Sequence, residues 1–83
     1  MQNTVNGQNV TITFGNSNLG TTPTTYYYSS DNGATYVSST SNTYTFTGLT
    51  PLTEFVFKAY SVDAAGNTSG ILTTTATTDY VLD

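Results

Sequence analysis

Chemistry in this chain would have to come from five carboxylates, one amine and a surplus of hydroxyls. The acids are Asp31, Glu54, Asp63, Asp79 and Asp83, and the amine is Lys58. Asp31 falls in a turn sequence, Glu54 at a corner and Asp63 at the end of an alternating run. No two are expected at the separation that glycoside hydrolysis by a carboxylate pair needs. Asp31-Asn32 has the start of a calcium loop but lacks the D-x-[DN]-x-[DN]-G continuation, so both read as turn residues. Ser29 and Ser30 have no histidine and no suitably placed lysine to activate them. Histidine and cysteine are both absent, which removes the usual general base, the commonest metal ligand, thiolate sites and disulfides together. Neither GxGxxG nor a Walker spacing occurs. The expectation is a non-catalytic chain with no metal and no cofactor.

Charge narrows the partners. The formal net charge is -4 with a single cation. That leaves no electrostatic footprint for nucleic acid or an anionic membrane. No apolar run approaches the roughly 20 residues that span a bilayer, so membrane insertion is not expected either. The N-terminus lacks the basic start and apolar stretch of a secretory signal. Either a signal has been removed or the chain is a segment of something longer.

Hydroxyls and amides replace charge: the chain holds 20 Thr, 8 Ser and 8 Asn. Thr is β-branched and suits half-exposed strands. The surface reads as a Thr-rich β surface or as that of a glycoprotein. Two N-glycosylation sequons occur, Asn9-Val10-Thr11 and Asn67-Thr68-Ser69. Asn67 is the better candidate because it falls in a loop, whereas Asn9 begins a strand. Modification at either requires an extracellular or cell-surface setting.

The aromatic residues offer a second kind of contact. In Tyr26-Tyr27-Tyr28 the alternation turns Tyr27 outward, and Tyr60 is outward on a later strand. Exposed tyrosines on a sheet can stack on sugar rings or pack against another subunit. The plainer alternative is cross-strand pairing.

The elements that position these residues follow from period-two alternation. Six strands are expected at about 8–14, 24–30, 34–39, 43–48, 54–63 and 71–78. Turn residues separate them: Gly15 to Pro23, a hairpin turn at Asp31-Asn32-Gly33, a corner at Gly48-Leu49-Thr50-Pro51, and a loop from Ala65 to Gly70. The expected core is Val10, Ile12, Phe14, Tyr26, Tyr28, Tyr36, Tyr44, Phe46, Leu49, Phe55, Phe57, Ala59 and Leu72. No segment has a helical period. At 83 residues there is room for one domain with a thin stability margin.

The run GLTPLTEFVFKAYSVDAAGNTS, Gly48 to Ser69, resembles the E–F corner, F strand and F–G loop of a bacterial-type fibronectin type III domain. YYYSSDNGATY, Tyr26 to Tyr36, is similar to the family's C strand, hairpin and C′ strand. The resemblance covers roughly residues 8–78 and implies an immunoglobulin-like antiparallel β-sandwich of six to seven strands. Three departures stand out. Phe14 occupies a position where the family often has Trp. Phe55 occupies the corner where it usually has Tyr, whose hydroxyl returns to the backbone. Residues 1–7 are short for a full strand A, so that strand is expected to be short, frayed or missing.

Residues 79–83 run past the expected end of strand G and carry Tyr80, Val81 and Leu82. They read as a linker, or as a segment that pairs with a neighbour's open edge by strand addition. Non-closing, head-to-tail pairing of that kind builds a filament. Two functions are therefore in view. One is a structural or adhesive module of an extracellular assembly that associates with itself or with neighbouring domains. The other is a carbohydrate-binding or spacer module of a secreted bacterial multidomain enzyme.

Overall fold

The computed structural model describes residues 1–15 and 22–79. These form seven strands and no helix: β1 (Gln2–Asn6), β2 (Asn9–Thr13), β3 (Pro23–Ser29), β4 (Val37–Ser39), β5 (Thr43–Phe46), β6 (Glu54–Asp63) and β7 (Leu72–Thr77). They build a β-sandwich of two antiparallel sheets, ordered β1-β2-β5 and β4-β3-β6-β7.

The N-terminal segment adds a short first strand to the six read from alternation, within the six to seven that the resemblance implies. Gln2–Asn6 is a strand, paired with β2 from Gln2↔Thr13 to Asn6↔Asn9. The turn between them is the two-residue loop Gly7-Gln8. Gly7 has φ 63° and Gln8 does not share a positive φ, which is the pattern of a type II′ hairpin turn. The inward side of β1 carries Val5, packed against the core together with Met1. Asn3 crosses to the other sheet, where its amide nitrogen donates to Thr74 Oγ1 at 2.8 Å and to the Thr75 carbonyl at 3.2 Å. The edge that a missing first strand would have left open is filled by the chain's own residues.

The interior is aromatic. Val10, Ile12, Phe14, Tyr28, Phe57, Ala59 and Ala76 are buried, and Tyr26, Tyr44, Phe46, Leu49, Phe55 and Leu72 pack against them. Tyr28 of one sheet stacks on Tyr44 of the other at 5.5 Å, Tyr44 meets Phe46 at 4.8 Å, and Phe46 returns to Phe57 at 5.5 Å. This zigzag ties the sheets together with few aliphatics, since each such ring buries on the order of 150–250 Å². Tyr28 also donates from its hydroxyl to the Ser41 carbonyl at 2.7 Å. Burial, with Tyr26 nearby, pushes its pKa up to about 12.

Tyr36 departs from the expected core. The hairpin between β3 and β4 spans residues 30–36, longer than a tight turn, so β4 starts only at Val37 and Tyr36 lies outside the alternation. Its ring sits on the outer face beside Tyr60. The loop is organised by Asp31, whose carboxylate accepts from Ser29 Oγ at 2.6 Å, Thr35 Oγ1 at 2.6 Å and Thr35 N at 3.0 Å. These bonds, Ser29 foremost, hold the Asp31 carboxyl at a pKa of about 2. Gly33, at φ 88°, is closed over: a Cβ there would lie 3.1 Å from Tyr36 Oη and 3.2 Å from Lys58 Cδ.

The corner between β5 and β6 is held by a threonine. Thr78 is buried. Its Oγ1 accepts from Thr53 N at 3.1 Å and donates to the Thr50 carbonyl at 2.6 Å, and its own N–H donates to the Thr53 carbonyl. One short side chain just past the end of β7 thus satisfies a donor and an acceptor of the corner.

The molecule measures 47 × 19 × 16 Å. Asp79 is clasped at the pole that holds the Gly7-Gln8 turn: its N–H donates to Gly7 O, its carboxylate accepts from Gly7 N, and its carbonyl accepts from Gln8 Nε2. Met1 precedes Gln2, which pairs with Thr13 at the far end of β1. A five-residue strand at about 3.3 Å per residue separates the two points by roughly 17 Å. Met1 and Asp79 therefore lie at opposite ends of β1.

Candidate functional site: the outer face of the four-stranded sheet

The carboxylates do not converge. Asp31 is consumed by its loop, as above. Asp63 plays the same part between β6 and β7: its Oδ1 accepts from Ala65 N and Asn67 N, and its Oδ2 accepts from Asn67 Nδ2. Among the described residues no group of three or more His, Cys, Asp or Glu is placed to hold a metal ion. No helix among them is long and apolar enough to cross a membrane.

The two sequon asparagines sit differently. Asn67 is exposed, but Nδ2, the atom that would carry a sugar, donates to Asp63 Oδ2 at 3.1 Å. Asn9 is half-buried at the start of β2, and its Oδ1 accepts from Gly48 N at 3.4 Å. Tyr80, Val81 and Leu82 lie outside the described residues.

The tyrosines do come together. Because β3 and β6 are neighbours in the sheet, Tyr27 and Tyr60 are direct register partners. Their rings stack at 4.8 Å and 13°. Tyr36 meets Tyr60 edge-on at 5.1 Å and 73°. Both Tyr27 and Tyr60 are half-buried, so cross-strand pairing accounts for much of their surface. Burial, then proximity to Tyr27 and Tyr36, raises the Tyr60 pKa, which keeps its hydroxyl a protonated donor at neutral pH.

The same strand geometry adds residues that alternation alone did not single out. β6 pairs with β7 up to Ala59↔Leu72, which sets Ile71 opposite Tyr60 one step further on. Ile71 is 58% exposed. With Tyr60, Thr68 and Ser69 it lines an open groove of about 240 Å³. Tyr27 covers one side of Tyr60, and the groove lies toward Ile71. An apolar residue directly after Gly70, in a run otherwise rich in Thr, was the signal in the sequence.

The fold and this site define a small all-β module with a tyrosine-rich sheet face. No protein-family model matches the chain, and no curated protein matches it. Among solved structures it is similar to part of chitinase ChiA74 from Bacillus thuringiensis, with a TM-score of 0.76 and 30% identity over 95% of this chain. The chain spans 13% of that chitinase's length.

Proposed function

We propose that the chain is a fibronectin type III-type accessory module of a secreted polysaccharide-degrading enzyme, and that it acts as a non-catalytic spacer. The observation that carries this reading is the similarity of nearly the whole chain to a small part of a chitinase. The sheet order supports the family: β1-β2-β5 and β4-β3-β6-β7 correspond to strands A-B-E and C′-C-F-G of the resemblance. An elongated sandwich of 47 × 19 × 16 Å suits a module that holds two neighbours apart. Asp79 is fastened by several hydrogen bonds, so the chain leaves from a fixed point. An extracellular location and glycan-rich surroundings follow from this reading.

A filament built by strand addition has less support. It rests on an open edge and an apolar tail; β1 covers the edge of β2, and Tyr80, Val81 and Leu82 lie outside the described residues.

The test is a module replacement. The similar segment of the chitinase is exchanged for this chain, or deleted, and hydrolysis of insoluble chitin is compared with that of a soluble oligosaccharide. The replacement should retain activity on the solid, the deletion should lose part of it, and both should act equally on the soluble substrate. A replacement no better than the deletion would refute the spacer role. The isolated chain should release no sugar from either substrate.

A further inference from the structure

Neither the sandwich nor a spacer role requires the groove between Tyr60 and Ile71. Ile71 is a large apolar side chain left 58% exposed, on a surface otherwise dominated by hydroxyls. It stands across from Tyr60, whose ring is already braced by Tyr27 stacked at 4.8 Å and by Tyr36 edge-on at 5.1 Å. A braced ring loses little further freedom when something packs on it, so a contact there is preorganised. Thr68 and Ser69 add hydroxyls to the lining, and among the described residues no charged side chain takes part. Ser69 Oγ is committed to Ser61 N and to the Gly70 carbonyl, which fixes that wall in place.

At about 240 Å³ the groove is smaller than the roughly 300–1,000 Å³ typical of sites for drug-sized ligands. It suits one ring. The lining calls for a ring with an apolar face, a hydroxyl-bearing rim and no charge, which describes a pyranose of a neutral polysaccharide. A phosphate or carboxylate ligand would find no cation among these residues. We propose that this groove binds one sugar ring of a chitin-type polysaccharide, with the ring lying over Tyr60 and Ile71 and its polar rim toward Thr68. The choice of chitin rests on the accessory-module reading above. The binding site itself goes beyond a spacer, because it would give the module a weak hold on the substrate.

The test uses the isotope-labelled chain, titrated by NMR with chitohexaose and, separately, with cellohexaose. Chitohexaose should produce saturable shifts centred on the amides of Tyr60, Thr68, Ser69 and Ile71. A single-ring contact should give a dissociation constant on the order of 1 mM. Ile71→Ser should leave the rest of the spectrum unchanged and weaken binding about tenfold, the effect of losing one wall of the slot. Thr24→Ser, away from the groove, should bind like the parent chain. Flat titrations, shifts centred elsewhere, or an Ile71→Ser chain that binds as well as the parent would overturn the site. Equal affinity for cellohexaose would overturn its assignment to chitin. A successful module replacement beside a flat titration sinks this site alone and leaves the spacer role standing. A failed replacement beside saturable binding does the reverse.

Discussion

At the scale of single residues, buried and semi-buried polar groups do the most specific work. Thr78 satisfies a donor and an acceptor of the E–F corner with one hydroxyl. Thr78→Val keeps the shape and removes that hydroxyl, leaving Thr53 N and Thr50 O short of a partner. The expected loss is about 1–3 kcal/mol, read from the urea midpoint, whereas Thr78→Ser should lose much less. A Thr78→Val chain as stable as the parent would show that water replaces the hydroxyl. Two residues also set pH limits. Asp31 has its pKa lowered from 3.8 to about 2, so its contribution is complete above pH 4 and disappears as pH falls through about 2. Tyr28 has its pKa raised from 10.0 to about 12. Its contribution is present below pH 10 and is lost as pH rises through about 12, because the unfolded chain ionises more readily. Thermal melts between these limits should be flat with respect to both groups. Tyr28→Phe should reduce the alkaline decline, to which Tyr60 with its raised pKa also contributes, and an unchanged alkaline limit would count against Tyr28 as a source.

At the scale of elements, β1 covers the edge of β2 in the three-stranded sheet. Gly7 allows the hairpin turn through its positive φ, and a Cβ there would meet nothing within 4 Å. Gly7→Val should therefore cost mainly the strain of a positive φ at a β-branched residue, about 1–3 kcal/mol, and Gly7→Asn less. Removing residues 1–6 should do something different in kind. It would uncover the edge of β2, and an uncovered edge recruits another chain. The shortened chain should form dimers or larger species in size-exclusion chromatography while the full chain stays monomeric at the same concentration. A shortened chain that remains monomeric would show that β1 is dispensable as an edge cover. The sequence held the signal for this hairpin, since Asn6-Gly7 sits between the alternating runs Asn3-Thr4-Val5 and Val10-Thr11-Ile12. What hid it was the polarity of β1, where Gln2, Thr4 and Asn6 face solvent and leave Val5 as the lone aliphatic inside.

At the scale of the whole molecule, seven strands share one aromatic interior, so unfolding should be a single transition. Phe57, fully buried where the Phe46 and Phe55 rings meet, should cost about 3–5 kcal/mol when changed to Ala, most of the stability of a chain this small. Calorimetry showing two separate transitions would contradict a shared core. The Cα radius of gyration is 13.2 Å, above the roughly 12 Å expected of a compact chain of this length, and solution scattering should return an elongated envelope. What the sequence determined by itself was local. Alternation of Val10, Ile12 and Phe14, and of Phe55, Phe57 and Ala59, dictates strands with one buried face, because the period of a strand is two. The absence of His and Cys limits the chemistry whatever the fold. Tertiary structure alone decided which strands became neighbours. Only that choice set Tyr27 against Tyr60, moved Tyr36 to the outer face, placed Thr78 under the corner and opened a groove beside Ile71, because residue spacing along a chain says nothing about distance across a sheet.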